Sequence, residues 1–272
     1  MSDLKDFYDE LYSHLDEGSL FNSPMGWVKT EHLERFDAIL AEIKRLFNSR
    51  IFSLIDIGGA EGTFFHKLRN SGLVFTYVNT DFSIANLKKA KTTHIQNLVL
   101  CDAHNLPFRD AVFDLALCSE VLEHVVTPRR IFFEAARVIK GYGLFTTPTI
   151  GITLLDKVFF DRRAKMYTYT IRSRIAQFGS KQIARSLHAT TGAVHISIFT
   201  ISNLRELYSG LFEEVATRGI FFGFPQLSSL LRLEHLINMH RKIQEVAFRH
   251  IPVFHCGFLG NQCSLLVLKK YI

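Results

Sequence analysis

Short apolar runs alternate with helical stretches from Ile51 to Thr147, and this alternation constrains the fold more than any other feature of the chain. Strands that alternate with helices favour a parallel, doubly wound α/β sheet. Hydrophobic residues make up 47% of the 272 residues, which is ample apolar surface for the core of such a sheet. The predicted strands are residues 52–57, 74–78, 98–101, 113–118 and 144–147, and the predicted helices are residues 63–69, 84–90 and 128–139.

The segments on either side of this region have a different pattern. Apolar residues recur at helical spacing before and after a break at residues 18–26, so we expect two helices within residues 1–50. Beyond Pro148 the pattern is less regular. The later elements predicted there are a helix at residues 203–208, a strand near Val215, a long amphipathic helix at residues 227–248 and a final strand at residues 264–268.

Local signals predict where the helices of the core begin and end. Ser83 can cap the second helix, and Thr127 followed by Pro128 is typical of an N-cap and the first helical residue of the third. Gly141 is predicted to lie just past the end of that third helix.

Charge is uneven along the chain. Residues 1–150 carry 16 Lys and Arg against 19 Asp and Glu, whereas residues 151–272 carry 16 against seven. The densest basic stretch runs from Lys157 to Arg185, where Asp161 is the one acidic residue. Such a cluster can attract phosphates, anionic lipid head groups or nucleic acid, and it can equally be an ordinary solvated face.

The first residues and the cysteines bear on the compartment. The opening segment, MSDLKDFYDE, is charged and is not followed by an apolar run, so we expect neither a secretory signal nor an anchor there. Cys101, Cys118, Cys256 and Cys263 form no C-x-x-C pair, which favours buried thiols in a reducing compartment. We therefore expect a cytoplasmic protein.

A loop of small residues, Asp56 to Gly62, follows the first core strand. Gly58, Gly59 and Gly62 let the backbone come close to a ligand at the carboxyl end of the strand, where open α/β sheets bind ligands. The dinucleotide pattern G-x-G-x-x-G is interrupted by Ala60, which disfavours a pyrophosphate site.

Acidic residues also follow the second and third strands. Asp81 can accept hydrogen bonds from both hydroxyls of a ribose, and Phe82 beside it offers a flat apolar face for a purine. Asp102 and the backbone amide of Ala103 can read the polar edge of adenine. The three strand ends together favour a nucleoside-containing cofactor.

These residues, in this order, resemble the class I S-adenosylmethionine-dependent methyltransferases. The resemblance implies a Rossmann-like sheet of seven strands, mostly parallel with an antiparallel last strand, and S-adenosylmethionine as the cofactor. It covers about residues 50–150 and rests on Asp56–Gly62, Asp81, Cys101–Ala103, Leu106–Phe108, Phe113–Leu115, Ser119–Val125 and Lys140–Gly143.

The resemblance implies roles for individual residues. The loop after Asp56 is expected around the methionine moiety, Asp81 on the ribose, and Asp102 with Ala103 on the adenine. Ser119 is expected at the cofactor as well. The chain departs from the family pattern D-x-G-x-G-x-G at Ala60, whose methyl group is tolerated if φ is negative there and otherwise can crowd the cofactor. A fold that has lost its cofactor is the alternative.

The resemblance also divides the chain. We expect one methyltransferase domain over residues 1–272, with an N-terminal helical lid at residues 1–50. The cofactor-binding core is expected at residues 51–149. Helical substrate-cap insertions and the last strands are expected at residues 150–272.

Methyl transfer from a sulfonium depends mainly on alignment, so no fixed triad is expected. Glu120, Glu123 and His124 form E-x-x-E-H after the fourth strand, at a spacing that predicts one side of a helical turn. We predict Glu120 and His124 as acid–base residues in a site without metal. The alternative is a divalent ion held by all three, as in the quinone-biosynthesis and small-RNA 2′-O-methyltransferases that the motif resembles.

His195 is a third candidate for catalysis. It precedes a segment, Phe199 and Thr200 before a helix, similar to one that lies near the substrate pocket in this family. His195 is a candidate base or fourth metal ligand, and a histidine hydrogen-bonded within a loop is the alternative.

The acceptor is expected to be a small molecule. Apolar and basic residues occur together in residues 150–193 and 219–252, which favours a hydrophobic or amphipathic acceptor, lipid-like or anionic, with peripheral membrane contact. O-methylation is the favoured reaction. Two alternatives stay open: an RNA (tRNA) methyltransferase that uses the basic charge, and a non-catalytic, cofactor-binding regulatory subunit.

Overall fold

The computed structural model describes residues 26–48, 50–149, 197, 199–222 and 261–271. Helices and strands alternate through this part of the chain as the apolar pattern predicts. In chain order the elements are α1 (Gly26–Phe47), β1 (Phe52–Ile57), α2 (Thr63–Arg69), β2 (Phe75–Asp81), α3 (Ile84–Thr92), β3 (Leu98–Leu100), β4 (Phe113–Ser119), a 3₁₀ helix (Leu122–His124), α4 (Pro128–Val138), β5 (Ile139–Pro148), α5 (Ile201–Tyr208), β6 (Phe212–Phe222) and β7 (Asn261–Lys270).

The strands form one seven-stranded sheet in the order β3-β2-β1-β4-β5-β7-β6. The first five strands are parallel, and β7 runs antiparallel to both β5 and β6. The predicted fold, mostly parallel with an antiparallel last strand, is therefore confirmed. Because the order reverses direction between β1 and β4, the sheet has its topological switch point there.

Helices bury apolar side chains against both faces of the sheet. Ile39 of α1 and Leu68 of α2 pack with Leu54 on one face, while Ile131 of α4 and Leu204 of α5 join a second cluster on the other. Successive strand residues point to opposite faces, so neighbouring apolar residues in β1 serve both clusters. This two-sided burial explains why the parallel strands read as continuous apolar runs rather than as alternating ones.

The helix starts agree with the sequence at Ser83 and in part at Thr127. The Ser83 side chain accepts a hydrogen bond from the Asn86 backbone at 3.3 Å, as an N-cap does. Pro128 is the first residue of α4, but the Thr127 side chain makes no capping hydrogen bond. The α4 start therefore relies on proline geometry and not on a side-chain cap.

The predicted role of Gly141 was wrong. α4 ends at Val138 and β5 begins at once, so Gly141 lies inside a strand rather than after a helix. A methyl group on Gly141 would lie 2.8 Å from the backbone oxygen of Asp114. Glycine is needed there because β4 and β5 approach closely beside a register shift between Phe113 and Leu115.

Several predictions fall outside the described residues: the first N-terminal helix, the basic stretch from Lys157 to Arg185, the helix at residues 227–248, and Cys256. The described cysteines, Cys101, Cys118 and Cys263, are free thiols. Within the described ranges, none of the helices combines the length and apolar character that crossing a membrane requires.

The loop between β3 and β4 is fastened to α4 by Glu134 and Arg137. Glu134 Oε2 accepts a hydrogen bond from the Leu106 backbone N–H at 2.8 Å. Arg137 donates to the carbonyl oxygens of Leu106 at 2.9 Å and Phe108 at 2.7 Å, and to Glu134 Oε2 at 2.7 Å. Glu134 is buried, so its carboxylate depends on this guanidinium.

We expect Arg137→Leu to lower the free energy of unfolding by about 3 kcal/mol, because the substitution leaves the buried Glu134 carboxylate without its closest cation. Urea denaturation followed by circular dichroism measures the change. Lys140→Leu is the matched control: Lys140 is exposed and 3.8 Å from Asp114, so its loss should change the free energy by no more than about 0.5 kcal/mol. Equal effects of the two substitutions would contradict the anchoring role.

Candidate active site

Three acidic residues reach one edge of the sheet because β1, β2 and β3 are parallel neighbours. Asp56 pairs in register with Asn79, and Asp81 pairs with Leu100, so the strands end side by side. Asp102 lies two residues after the end of β3. The candidate site therefore lies at the carboxyl edge beside the switch point, where the sequence analysis places the cofactor.

The first two glycines after β1 are required by their neighbours. The backbone N–H groups of Gly58 and Gly59 both donate to the Thr80 carbonyl, at 2.8 Å and 3.0 Å. A methyl group on Gly58 would lie 2.5 Å from the Val121 side chain, and one on Gly59 would lie 2.1 Å from Asn79 Oδ1. At these two positions the loop therefore packs against β2 and the end of β4 too closely for a residue with a side chain.

Ala60 and Gly62 both adopt left-handed backbone conformations, with φ of 48° and 77°. The condition of a negative φ at Ala60 is thus not met. Such a conformation costs a residue with a Cβ atom about 1 to 2 kcal/mol. Two side chains of β2 hold Ala60: its N–H donates to Asp81 Oδ2 at 3.0 Å, and its carbonyl accepts from Asn79 Nδ2 at 3.0 Å.

Asp56 lies beneath the loop and only 3% of its surface is exposed. The Tyr77 hydroxyl donates to Asp56 Oδ2 at 2.5 Å. Burial raises the pKa of Asp56 to about 7, the Tyr77 hydrogen bond opposes that rise, and the charge of Asp81 adds to it. Asp56 therefore lies under Gly59 of the loop as a buried carboxyl group whose pKa is close to neutral pH.

The carboxylate of Asp81 is held at the end of β2 by donors on both sides. Oδ1 accepts from the Ser83 N–H at 2.8 Å and from Asn86 Nδ2 at 3.4 Å, and Oδ2 accepts from Ala60. A carboxylate has about four acceptor directions, so these contacts orient the group while it keeps its capacity as an acceptor. Phe82, beside it, is half-buried.

Asp102 forms a pair with His104 that the sequence analysis missed. Asp102 Oδ1 accepts from the His104 backbone N–H at 2.8 Å and lies 2.7 Å from His104 Nδ1. The signal was available, because an aspartate often accepts from the backbone two residues later. Arg130 Nε donates to the His104 carbonyl at 3.0 Å, which joins this turn to α4. Ala103 is half-buried against the core.

A comparison with known families now identifies the core. Residues 55–147 match the family described as the methyltransferase domain. This part of the chain is a class I S-adenosylmethionine-dependent methyltransferase domain. The matched residues run from the middle of β1 almost to the end of β5 and contain all three acidic strand ends.

Individual proteins are also similar to the chain. An uncharacterized protein of Methanocaldococcus jannaschii is 29% identical over 143 residues, 53% of this chain and 59% of that protein. The ubiquinone biosynthesis O-methyltransferase of Coxiella burnetii (strain Dugway 5J108-111) is 26% identical over 195 residues, 71% of this chain and 78% of that enzyme. The chain thus spans about three fifths of the length of the first relative.

Among solved structures, the magnesium protoporphyrin IX methyltransferase of Synechocystis, determined with bound SAH, superposes with a TM-score of 0.51. The alignment covers 89% of this chain and 84% of that one at 11% identity. At this identity the likeness speaks for the shared fold.

The end of β4 in the methyltransferase domain is tied to α1. Glu120 has a left-handed backbone, with φ of 57°, and its Oε2 lies 3.4 Å from Arg35 Nη1. Thr146 Oγ1 donates to Glu120 Oε1 at 3.0 Å and is 2.8 Å from the hydroxyl of Ser119. Cys263 Sγ lies 3.4 Å from the same carboxylate oxygen.

Arg35 and its neighbour His32 are site residues that the sequence analysis missed. His32 Nδ1 contacts the Arg35 guanidinium, which can only donate, so this ring nitrogen is the acceptor. Burial, and then the charge of Arg35, lower the pKa of His32 to about 4. A neutral imidazole and a buried guanidinium therefore face Glu120. No local pattern distinguishes these two from other polar residues of an amphipathic helix.

Glu123 has partners different from those of Glu120. It is fully buried, its Oε2 accepts from Thr147 Oγ1 at 3.0 Å, and its backbone carbonyl accepts from the Ser197 N–H at 3.0 Å. Burial, and next the charge of Glu120, raise the pKa of Glu123 well above its ordinary value. His124 Nε2 lies 3.7 Å from Glu123 Oε1.

The arrangement of E-x-x-E-H on one side of a helical turn was therefore wrong. Glu120 is left-handed and only Leu122–His124 forms a short 3₁₀ helix, so the three residues do not share one helical turn. In the parts of the chain that the structure describes, no three His, Cys, Asp or Glu side chains lie together as a metal site. Glu120, Glu123 and His124 do not form one, because Arg35 and Thr147 occupy the carboxylates. His195 lies outside the described residues.

We expect Asp56→Asn to remove a pH dependence of stability. Because the folded pKa of about 7 exceeds the ordinary 3.8, folded protein keeps a proton that the unfolded chain loses. The stability of the natural protein should then fall by about 4 kcal/mol between pH 4 and 7 through this group and level off above. Chemical denaturation at pH 5 and pH 8 measures it.

The difference in stability between the natural protein and the Asp56→Asn variant isolates the contribution of Asp56, because Glu123 and His32 are present in both. The Asn variant should gain stability relative to the natural protein as the pH rises from 5 to 8. Curves that stay parallel over this range would show that Asp56 is ionised in the folded state.

Proposed function

We propose that this chain transfers a methyl group from S-adenosylmethionine to an oxygen of a small, hydrophobic or amphipathic acceptor. The observation that carries the proposal is the convergence of the Gly58–Gly62 loop, Asp81 and Asp102 at the carboxyl edge of the sheet, inside the methyltransferase domain. Parallel α/β sheets bind their ligands at this edge.

The residues present fit an adenosyl sulfonium. Asp81 is oriented by the Ser83 and Ala60 amides and can accept from ribose hydroxyls. Asp102 is half-exposed and, with the Ala103 amide, suits the polar edge of adenine. Bound there, S-adenosylmethionine supplies a methyl group that is already activated for displacement, so the protein's task is alignment and exclusion of water.

Glu120 is the best-supported acid–base residue. It projects from the end of the central strand β4 and keeps about a fifth of its side chain exposed. Its ion pair with Arg35 and its hydrogen bond from Thr146 hold the carboxylate in place. In the proposed step Glu120 would accept the proton of an acceptor hydroxyl, and bound S-adenosylmethionine would supply the methyl group to that oxygen. His124 and His195 stay candidates for the same task, and Ser119 and Phe82 for cofactor contacts.

Sequence and relatives support the acceptor class. The ubiquinone biosynthesis enzyme is named an O-methyltransferase, and residues 150–193 and 219–252 of this chain combine apolar and basic side chains. A pocket walled by such residues suits an amphipathic molecule, lipid-like or anionic. The division of the chain into lid, core and substrate insertions, a cytoplasmic location and peripheral membrane contact remain predictions.

Calorimetric titration with S-adenosylmethionine tests the cofactor. We expect Asp81→Asn to weaken binding about tenfold to a hundredfold, because an amide replaces a carboxylate that accepts charge-assisted hydrogen bonds. Asp37→Asn is the matched control: Asp37 is exposed on α1 and pairs with Lys67, so the affinity should not change. Absence of binding to the natural protein would overturn the cofactor assignment and favour a fold that has lost its cofactor.

Labelled methyl transfer tests the acceptor. S-adenosylmethionine labelled in the methyl group is incubated with the protein and, separately, a lipid extract, a metabolite extract and total tRNA. We expect labelled O-methyl products, either base-stable methyl ethers or methyl esters, in the lipid or metabolite extract. With Glu120→Gln we expect this labelling to be lost. Label in tRNA alone would overturn the small-molecule assignment.

A further inference from the structure

Both polar backbone groups of Ala60 are captured by side chains from the end of β2. Its N–H donates to Asp81 Oδ2, and its carbonyl accepts from Asn79 Nδ2, each at 3.0 Å. Ala60 is the residue that departs from the family's glycine, and it adopts φ of 48°. Left-handed backbone is unfavourable for alanine, so the surrounding contacts must maintain it.

The side chain of Asn79 packs closely under this loop. It is fully buried, and a methyl group built on Gly59 would lie only 2.1 Å from its Oδ1 and 2.8 Å from Asp56 Oδ2. The flat amide therefore lies directly under the loop, beside the buried carboxyl group of Asp56. Within the described residues, Asn79 Oδ1 has no hydrogen-bond partner. Burial of the unpaired Oδ1 is unfavourable. The hydrogen bond from Nδ2 to Ala60 is therefore the favourable interaction of the buried amide.

We propose that Asn79 is a positioning residue for the cofactor loop: it holds Ala60 in the left-handed conformation and thereby sets the affinity for S-adenosylmethionine. This inference rests on the proposed function of the same site. Asp81 also binds Ala60, by accepting from its N–H, but is expected to bind the ribose as well. A substitution of Asp81 therefore changes two interactions at once. Asn79 acts through the loop alone and separates the effect of positioning from direct contact.

Calorimetric titration of Asn79→Ala with S-adenosylmethionine is the first test. We expect the dissociation constant to rise about tenfold, the effect of losing one buried hydrogen bond that orders the site. Asn97→Ala is the matched control. Asn97 Nδ2 also donates a hydrogen bond of 3.0 Å to a backbone carbonyl, that of Tyr77 on β2, but this bond does not involve the loop. Asn97→Ala should leave the dissociation constant within about twofold. Equal effects of the two substitutions would overturn the proposal.

Restoring glycine provides the second test. Glycine adopts positive φ without a steric cost, so in an Ala60→Gly background the loop no longer depends on Asn79. We expect the effect of Asn79→Ala on the dissociation constant to shrink from about tenfold to about twofold in that background, a non-additivity that a double-mutant cycle reports. Full additivity of the two substitutions would show that Asn79 acts by another route, and the proposal would fail.

Hydrogen–deuterium exchange tests the loop without any ligand. The amide of Ala60 is protected by Asp81, and we expect Asn79→Ala, but not Asn97→Ala, to accelerate exchange in a peptide covering residues 57–64. Should Asn79→Ala fail to fold, Asn79→Ser removes the same bond with less loss of polarity and serves for every measurement. If the natural protein does not bind S-adenosylmethionine, the proposed function fails. Unchanged exchange in the variant is the separate result that would refute the role of Asn79.

Discussion

The carboxylate of Asp81 links the elements on which the site depends. One oxygen accepts from the amide of Ala60 in the loop after β1, and the other accepts from the amide of Ser83 at the start of α3. Because β1 and β2 are parallel neighbours, this side chain can reach both elements from the strand end. The loop, the helix start and the candidate ribose site are thereby set relative to one another by charge-assisted hydrogen bonds, which are among the stronger polar interactions in proteins.

A second set of polar contacts joins the α1 helix to the opposite side of the switch point. Arg35 is buried and pairs with Glu120, whose carboxylate also accepts from Thr146. A buried cation is tolerated only with such a partner, so α1 and the end of β4 constrain each other. This arrangement places the first described helix beside the residue that we propose as the acid–base group, although the two are far apart in the chain.

Carboxyl groups within this small region have opposite electrostatic surroundings. Asp56 and Glu123 are almost completely buried, and burial raises the pKa of each. Glu120 instead pairs with the guanidinium of Arg35, and Asp81 accepts hydrogen bonds from backbone amides. Groups that differ in this way can divide structural and proton-transfer tasks among them, as acid–base sites commonly require. The two glutamates of E-x-x-E are thus close in the chain but have separate partners, Arg35 for Glu120 and Thr147 for Glu123.

The apolar alternation, the acidic strand ends and the Ser83 cap could be predicted from the sequence because each depends on residues near one another in the chain. The tertiary structure alone decided the left-handed φ of Ala60, the pairing of Arg35 with Glu120 and the burial of Glu123. Those features arise from side chains separated by tens of residues and brought together by sheet order and helix packing. The sequence therefore determined which chemical groups stand at the carboxyl edge, whereas the packing around them decided which are buried, which are paired and which face the site.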